Sequence, residues 1–515
     1  MNERSEAYAR YVLGVLVLVY VLNFLDRQIV SILAERIKAD LGLTDGEIGF
    51  LYGTAFAVFY AVFGIPLGRL ADVWDRRLLI SIGLAFWSGM TALSGLARNF
   101  GEFAAARIGV GVGEASASPA AYSMLSDYFP ASKRATVLAI YSSGIYIGAG
   151  LGLGLGGLVV DRWDAAFPGG DAPFGLRGWQ VAYFVVGTPG ILFALWVRRL
   201  REPVRGASDG LPAPAPHPHP FRELGRELRA VLPPFTLFQL GAEGGGAPAI
   251  ARNVVAAIGI IAVATLLTLW LGTPAQWIAL GLGLYAATSW AQVLRLRDPV
   301  AATLLFDTPT LRYGGIAFAL LAFVGYGVGF WMPPFFIRTH SVGAGEAGFV
   351  LGGISALAGW LGTTAGGVIA DRWRLATPAG RLYVAVLTGL LPIPFAIGFL
   401  SVESRTLAYG LTFPLTLFSS MWVGVGASTI QDMVLPRMRA TASAAYLLLV
   451  TLIGLALGPY TIGLLSTWFG DLRQALFAGL VAGLGAAAFA ALAAREIGRD
   501  QATLLERARA AGEPL

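Results

Sequence analysis

Two stretches of this sequence place full charges inside apolar runs. In "VLNFLDRQIV", residues 21–30, Asp26 and Arg27 follow fifteen uncharged residues (11–25) and precede seven more (28–34). In "RIGVGVGEAS", Arg107 and Glu114 stand seven residues apart, which on a helix is one face. At membrane depth each such charge costs on the order of 3 kcal/mol or more, so a chain keeps it for a use. A carboxyl there can take up and release a proton, and a guanidinium can pair with it or with an anionic ligand. Asp26 and Glu114 are therefore candidate protonation sites, with Arg27 and Arg107 as charge partners or as receptors for a substrate headgroup. Asp26 and Arg27 are adjacent, about 100° apart around a helix, so each needs a partner from another helix. A structural ion-pair cluster is the alternative.

The elements that must position these residues are membrane spans. The chain has 515 residues, 56% hydrophobic and 13% charged, with a mean hydropathy of +0.67. Soluble domains carry about 25% charged residues. Unbroken runs such as "IGIIAVATLLTLWLG" exclude the alternating pattern of membrane strands. Cysteine is absent, so there is neither a disulfide framework nor a thiolate metal site. With three histidines, two of them in "APAPHPHP", metal or histidine catalysis has little to build on. At about 20 residues per span, helices are expected near 11–34, 47–69, 78–97, 101–128, 135–160, 179–197, 250–272, 276–294, 312–337, 346–370, 382–401, 406–432, 441–466 and 474–494. The first run is too long for a signal-peptide core and is expected to stay as a span.

Arginine sets the expected orientation. With the N-terminus inside, the inner loops hold Arg76, Arg77, Arg198, Arg199, Arg201, Arg295, Arg297, Arg372, Arg374, Arg381, Arg437 and Arg439, whereas outer loops mix both signs. Asp26 then lies about 22 Å along the first span, and Arg107 and Glu114 about 9 Å and 20 Å below the outer end of the fourth. All four charges share the middle of the bilayer.

The chain also repeats itself. Residues 46–74 and 345–373 agree without a gap at 10 of 29 positions, including Asp72/Asp371 and Trp74/Trp373. A second match pairs Asp127 with Asp432 and Arg134 with Arg439. In that match Ala427 stands where the first copy has Glu114, and the span matching the first has no acid for Asp26. Parallel six-span repeats are a recurring transporter plan with the site between them near midplane. The residues Asp72, Arg76, Arg77 and Asp127, with Asp371, Arg372, Asp432 and Arg439, are read as a gating network, with plain interfacial anchoring as the alternative. Thr44 and Glu47 stand at capping-box spacing. Aromatics such as Tyr52, Phe56, Tyr122, Tyr141 and Phe330 are read first as packing.

"GRLADVWDRR" resembles the loop motif between the second and third spans of the major facilitator superfamily, with Val73 and Asp75 replacing its usual basic residue and glycine. The glycine runs "GIYIGAGLGLGLGGLVV" and "GLALGPYTIG" are similar to that family's helix-packing motif. "NFLDR" together with "RIGVGVGEAS", and "LREPVRG" after the sixth span, resemble the spinster-like branch. The resemblance implies transport of lysophospholipid or sphingolipid cargo, coupled to protons.

The expectation is an all-α polytopic membrane protein of the major facilitator fold: a six-helix bundle (1–200), a cytoplasmic linker with a short charged helix (201–249), an inserted two-helix hairpin (250–298), a second six-helix bundle (299–496) and a tail (497–515). It is expected in the inner or plasma membrane as a monomer with both termini cytoplasmic. Its expected partners are protons, the bilayer and a lipid-like substrate, with no nucleic acid, no metal and no cofactor beyond the proton gradient. A small organic anion or drug-like solute is the alternative cargo. A non-transporting sensor or scaffold would have no use for buried acids.

Overall fold

The computed structural model describes residues 3–168, 171–205 and 218–514, so residues 206–217 of the expected linker lie outside the described residues. Every regular element among the described residues is helical. In lipid the backbone must satisfy its own polar groups, and a helix does so within one segment.

The first copy comprises α1 (Glu3–Leu41), α2 (Asp45–Tyr52), α3 (Thr54–Val73), α4 (Arg76–Ser94), α5 (Phe100–Glu114), α6 (Ala117–Tyr128), α7 (Ala131–Ala166) and α8 (Gly178–Arg198). Then come α9 (Pro220–Val231) and α10 (Phe235–Ala242), the hairpin α11 (Gly246–Leu271) and α12 (Pro274–Arg297), and the short α13 (Pro299–Phe306). The second copy comprises α14 (Pro309–His340), α15 (Ala344–Ala376), α16 (Gly380–Leu390), α17 (Pro392–Ser401), α18 (Arg405–Ser420), α19 (Val423–Gln431), α20 (Arg439–Leu449), a π-helical segment Val450–Leu455, α21 (Ala456–Phe469) and α22 (Leu472–Ala502). The chain closes with α23 (Leu504–Ala510).

By length and composition, 13 helices or broken helices are able to cross a membrane. The expected span that is not among them is 101–128, which forms two helices of 15 and 12 residues, α5 and α6. Pro119 offers no N–H to the carbonyl of Ala115 there, although Gly424 holds the corresponding position in the second copy. The second copy breaks at the corresponding place, between α18 and α19.

The glycine run in α7 has two jobs. Gly152 faces α1, where a Cβ would lie 2.7 Å from the carbonyl oxygen of Leu25. Gly150 faces α15, where a Cβ would lie 2.6 Å from the carbonyl oxygen of Gly352. Only bare backbone fits at both contacts. Such packing also decides the compact units, which do not follow the two copies. One unit is Met1–Leu43, Phe63–Glu227 and Phe336–Ala356; the other is Thr44–Val62, Leu228–Phe335 and Leu357–Leu515. Thus α2 belongs with α21, and the beginning of α15 with α7.

The hairpin is held by a buried amide. Asn253 donates to Ser289 Oγ (3.1 Å) and Gln292 Oε1 (3.0 Å) and accepts from Tyr285 Oη (2.8 Å). Along the rest of α11, apolar side chains such as Val255, Ile261 and Leu269 stay exposed, as a lipid-facing helix requires.

Candidate functional site

In the first unit, α1, α4, α5 and α8 converge on one buried polar cluster. Asp26 and Arg27 part company, because neighbours on a helix point in different directions. Arg27 Nε donates to Glu114 Oε2 at 2.6 Å. The Glu114 side chain is fully buried and that of Arg27 is 12% exposed. The guanidinium also lies 4.8 Å from the centre of the Phe24 ring. Asp26, buried, accepts a 3.2 Å hydrogen bond from Thr91 Oγ1 on α4. Arg107 is wholly buried and interacts electrostatically with both Asp26 and Glu114. The cluster therefore holds two acids and two arginines.

Several polar atoms here have no partner. They are Asp26 Oδ1, Glu114 Oε1, Asn23 Oδ1, Trp87 Nε1 and the Tyr183 hydroxyl. Ionised carboxylates accept several hydrogen bonds; Thr91 donates to Asp26 and Arg27 to Glu114, with Trp87 beside Asp26 and Asn23 beside Glu114 as further donors.

A second set of charges lies at the arginine-rich ends of the spans. Arg76, wholly buried at the start of α4, donates to Asp127 Oδ2 (2.5 Å), Glu202 Oε1 (2.6 Å), Ser123 Oγ (2.7 Å) and the carbonyl of Pro203 (3.0 Å). Arg77 bonds Asp75 (3.1 Å) and the carbonyl of Leu200 (2.8 Å). Asp75, which departs from the family motif, caps α4 through Leu78 N–H. Asp72 stands apart, exposed and 3.7 Å from Arg69. In the second unit, Arg381 donates to Asp432 Oδ2 (2.5 Å), Asp371 Oδ1 (2.9 Å) and the carbonyl of Ser428 (3.3 Å), and Arg374 joins Asp432 at 2.9 Å.

This corrects the network expected from sequence. Arg372 and Arg439 are exposed, and Arg374 and Arg381 hold the second copy's carboxylates instead. The overlooked signal is a spacing. Arg76 and Asp127 are 51 residues apart, and so are Arg381 and Asp432. Arg381 is thus the counterpart of Arg76, after a connection six residues longer, most of it an extension of α15. The same spacing sets Ser419, not Ala427, opposite Glu114; the Gly-Val-Gly match is eight residues out of step. Thr91, Trp87 and Tyr183 were missed because uncharged residues in apolar spans leave no sequence signal.

The remaining candidates are structural. Thr44 and Glu47 form a full capping box on α2. Tyr52 stacks on Phe330 at 4.3 Å, and Tyr122 meets Tyr141 edge-on at 5.3 Å. Among the described residues, no group of three or more His, Cys, Asp or Glu gathers as a metal site.

The model of the Major Facilitator Superfamily matches residues 16–459. An MFS-type efflux pump of Mycolicibacterium smegmatis is 27% identical over 460 residues, 88% of this chain and 83% of the relative. Protein spinster homolog 1 of Homo sapiens is 27% identical over 484 residues, 90% of this chain and 74% of the relative. The crystal structure of a bacterial homologue of the human lysosomal transporter Spinster, inward-facing and occupied, matches with a TM-score of 0.71 at 26% identity, covering 96% of this chain and 98% of that one. A D-xylose-proton symporter shares the fold, with a TM-score of 0.61 at 15% identity. The chain belongs to the major facilitator superfamily, as a spinster-like multi-pass membrane transporter.

Proposed function

We propose that this transporter couples proton movement to the transport of an amphiphilic, lipid-like cargo of the lysophospholipid or sphingoid type by alternating access. Asp26 and Glu114 are the protonation sites, and Arg27 and Arg107 their charge partners. The observation that carries this reading is the buried Arg27–Glu114 pair at 2.6 Å beside an under-bonded Asp26. The second copy has Ser419 opposite Glu114, and α14 contains no acid. A scaffold need would call for charges in both copies; a single proton pathway does not. Protonation of Glu114 removes the charge that holds Arg27, and the released guanidinium is then available to an anionic headgroup. The arginine-rich loops support an inner-membrane orientation with both termini cytoplasmic. Asp127–Arg76 and Asp432–Arg381 serve as the gating pairs at that face. The likeness to an MFS-type efflux pump favours a second cargo reading, a small organic anion or drug-like solute.

The test is flux of labelled lysophospholipid and sphingoid base into proteoliposomes under an imposed pH gradient. Wild type should follow the gradient, and Asp26→Asn and Glu114→Gln should uncouple it. Flux that ignores both the gradient and the substitutions defeats the coupling. Gradient-driven flux of amphipathic drugs but of neither lipid favours the second cargo.

A further inference from the structure

Asp26 is met by a set of hydrogen-bond donors that its present contacts do not use up. On α4, Thr91 and Trp87 are one helical turn apart and share a face. Thr91 donates the 3.2 Å bond to Oδ2. Trp87 Nε1 sits beside the carboxylate without completing a hydrogen bond. From α8, the buried Tyr183 hydroxyl, also without a partner, lies within electrostatic reach of both Asp26 and Arg107. A phenol can accept from a guanidinium while donating to a carboxylate. The unused acceptor is Asp26 Oδ1. Two donors and one acceptor without partners thus lie buried around one carboxylate.

The other neighbours do not supply what Asp26 lacks. Asn23 and Arg27 share its helix, and Arg27 is engaged with Glu114. Of the charged groups on α5, Arg107 and Glu114 act on Asp26 with opposite sign, and Glu102 sits at its far end, bonded to Asn99 and Arg98 N–H. Near this stretch of α1, α7 brings Gly148 and Gly152. The acid of α6, Asp127, is held by Arg76.

We propose that Trp87, Thr91 and Tyr183 form a donor cradle for the ionised Asp26 carboxylate and thereby set the pH at which it releases its proton. The inference rests on Asp26 being a protonation site. The three are positioning residues, acting on cargo only through Asp26. A protonated Asp26 needs few donors, whereas the ionised form needs several, and Trp87 and Tyr183 are the neighbouring groups able to donate. Hydrogen bonds to the charged form favour that form, so deleting a donor moves proton release to higher pH.

The experiment is a pH-titrated infrared difference spectrum of the purified, reconstituted transporter, where the protonated-carboxyl band lost in Asp26→Asn reports on Asp26. Tyr183→Phe, Trp87→Phe and the nearly isosteric Thr91→Val should each raise its midpoint by about one to two pH units, the worth of one hydrogen bond to a charged group. Tyr183→Phe removes only a hydroxyl, so it stays informative if Trp87→Phe fails to fold. Midpoints unchanged in both Tyr183→Phe and Thr91→Val overturn the cradle, as does the absence of any Asp26 band. Flux measured in parallel separates the two readings. A shifted midpoint with gradient-blind flux sinks the coupling and leaves the cradle standing; gradient-driven flux lost in Asp26→Asn with unshifted midpoints does the reverse.

Discussion

Cutting the Arg27–Glu114 pair from one side or the other should give two different penalties. The bond is short, 2.6 Å, with Glu114 fully buried and Arg27 12% exposed. Removing one partner from a buried pair costs about 3–5 kcal/mol, because the survivor is an uncompensated charge. Glu114→Gln takes the carboxylate away from Arg27, which cannot shed its proton. That residue nonetheless retains its slight exposure and the Phe24 ring at 4.8 Å, so the cost should fall near the lower end, about 3 kcal/mol, and vary little with pH. Arg27→Gln takes from the unexposed Glu114 its bonded partner while Arg107 still faces it, so at neutral pH the cost should lie within about 3–5 kcal/mol. A carboxyl has an escape, since it can take a proton, and this penalty should shrink on acidification. The double variant Arg27→Met/Glu114→Leu removes both charges and should cost far less than the sum of the singles. Denaturant unfolding of the purified protein in detergent at pH 5 and pH 8 measures all three. Additive singles, or an Arg27→Gln penalty that ignores pH, would refute the claim that these charges depend on each other.

The counterpart arginines should be unequal: Arg76, wholly buried between Asp127 and Glu202, should cost more on truncation to alanine than Arg381, whose partner Asp371 is 70% exposed. Thermal unfolding of Arg76→Ala and Arg381→Ala compares them, and an equal loss would contradict the burial argument. At the end of the chain, Arg437 joins Asp298 (2.6 Å) and Glu513 (2.5 Å). For Asp298, burial pushes the carboxyl up, but the Arg437 hydrogen bond and the amides of Ala301 and Val300 outweigh it, so it is held below the usual range. The Arg437 hydrogen bond likewise holds Glu513 low. Lowered carboxyls contribute stability that is present above their unfolded values, about pH 4, and lost as pH falls through the folded ones. The protection factors of the α23 amides should accordingly be high at pH 7 and fall only in strong acid, whereas Glu513→Gln should lower them at pH 7.

Charge in apolar surroundings is legible in sequence because its cost admits few explanations, and that is why Asp26, Arg27, Arg107 and Glu114 stood out. The structure gathers those four residues in one cluster. The spans were legible for the same reason, although the break of 101–128 into α5 and α6 was not. What could not be read was pairing. Arg372 follows Asp371 directly, yet Arg381 reaches that acid at 2.9 Å because a longer connection returns the chain. Trp87, Thr91 and Tyr183 are ordinary residues of apolar helices until folding turns them toward an acid.

The bare contact between α7 and α15 has a mechanical meaning. A Cβ on Gly352 would lie 2.5 Å from the carbonyl oxygen of Gly150, mirroring the reverse approach. Helices usually meet by fitting ridges into grooves, and displacement must lift one over the other. Two smooth backbones have no such steps, so this contact is a bearing. Resistance is concentrated elsewhere, in Glu35–Arg338 at 2.6 Å and in the 2.6 Å bond from Gly345 N–H to Asp161. Friction and latch occupy different residues, so the speed of a motion along this contact is adjustable at Glu35 or Asp161 without roughening the surface on which it runs.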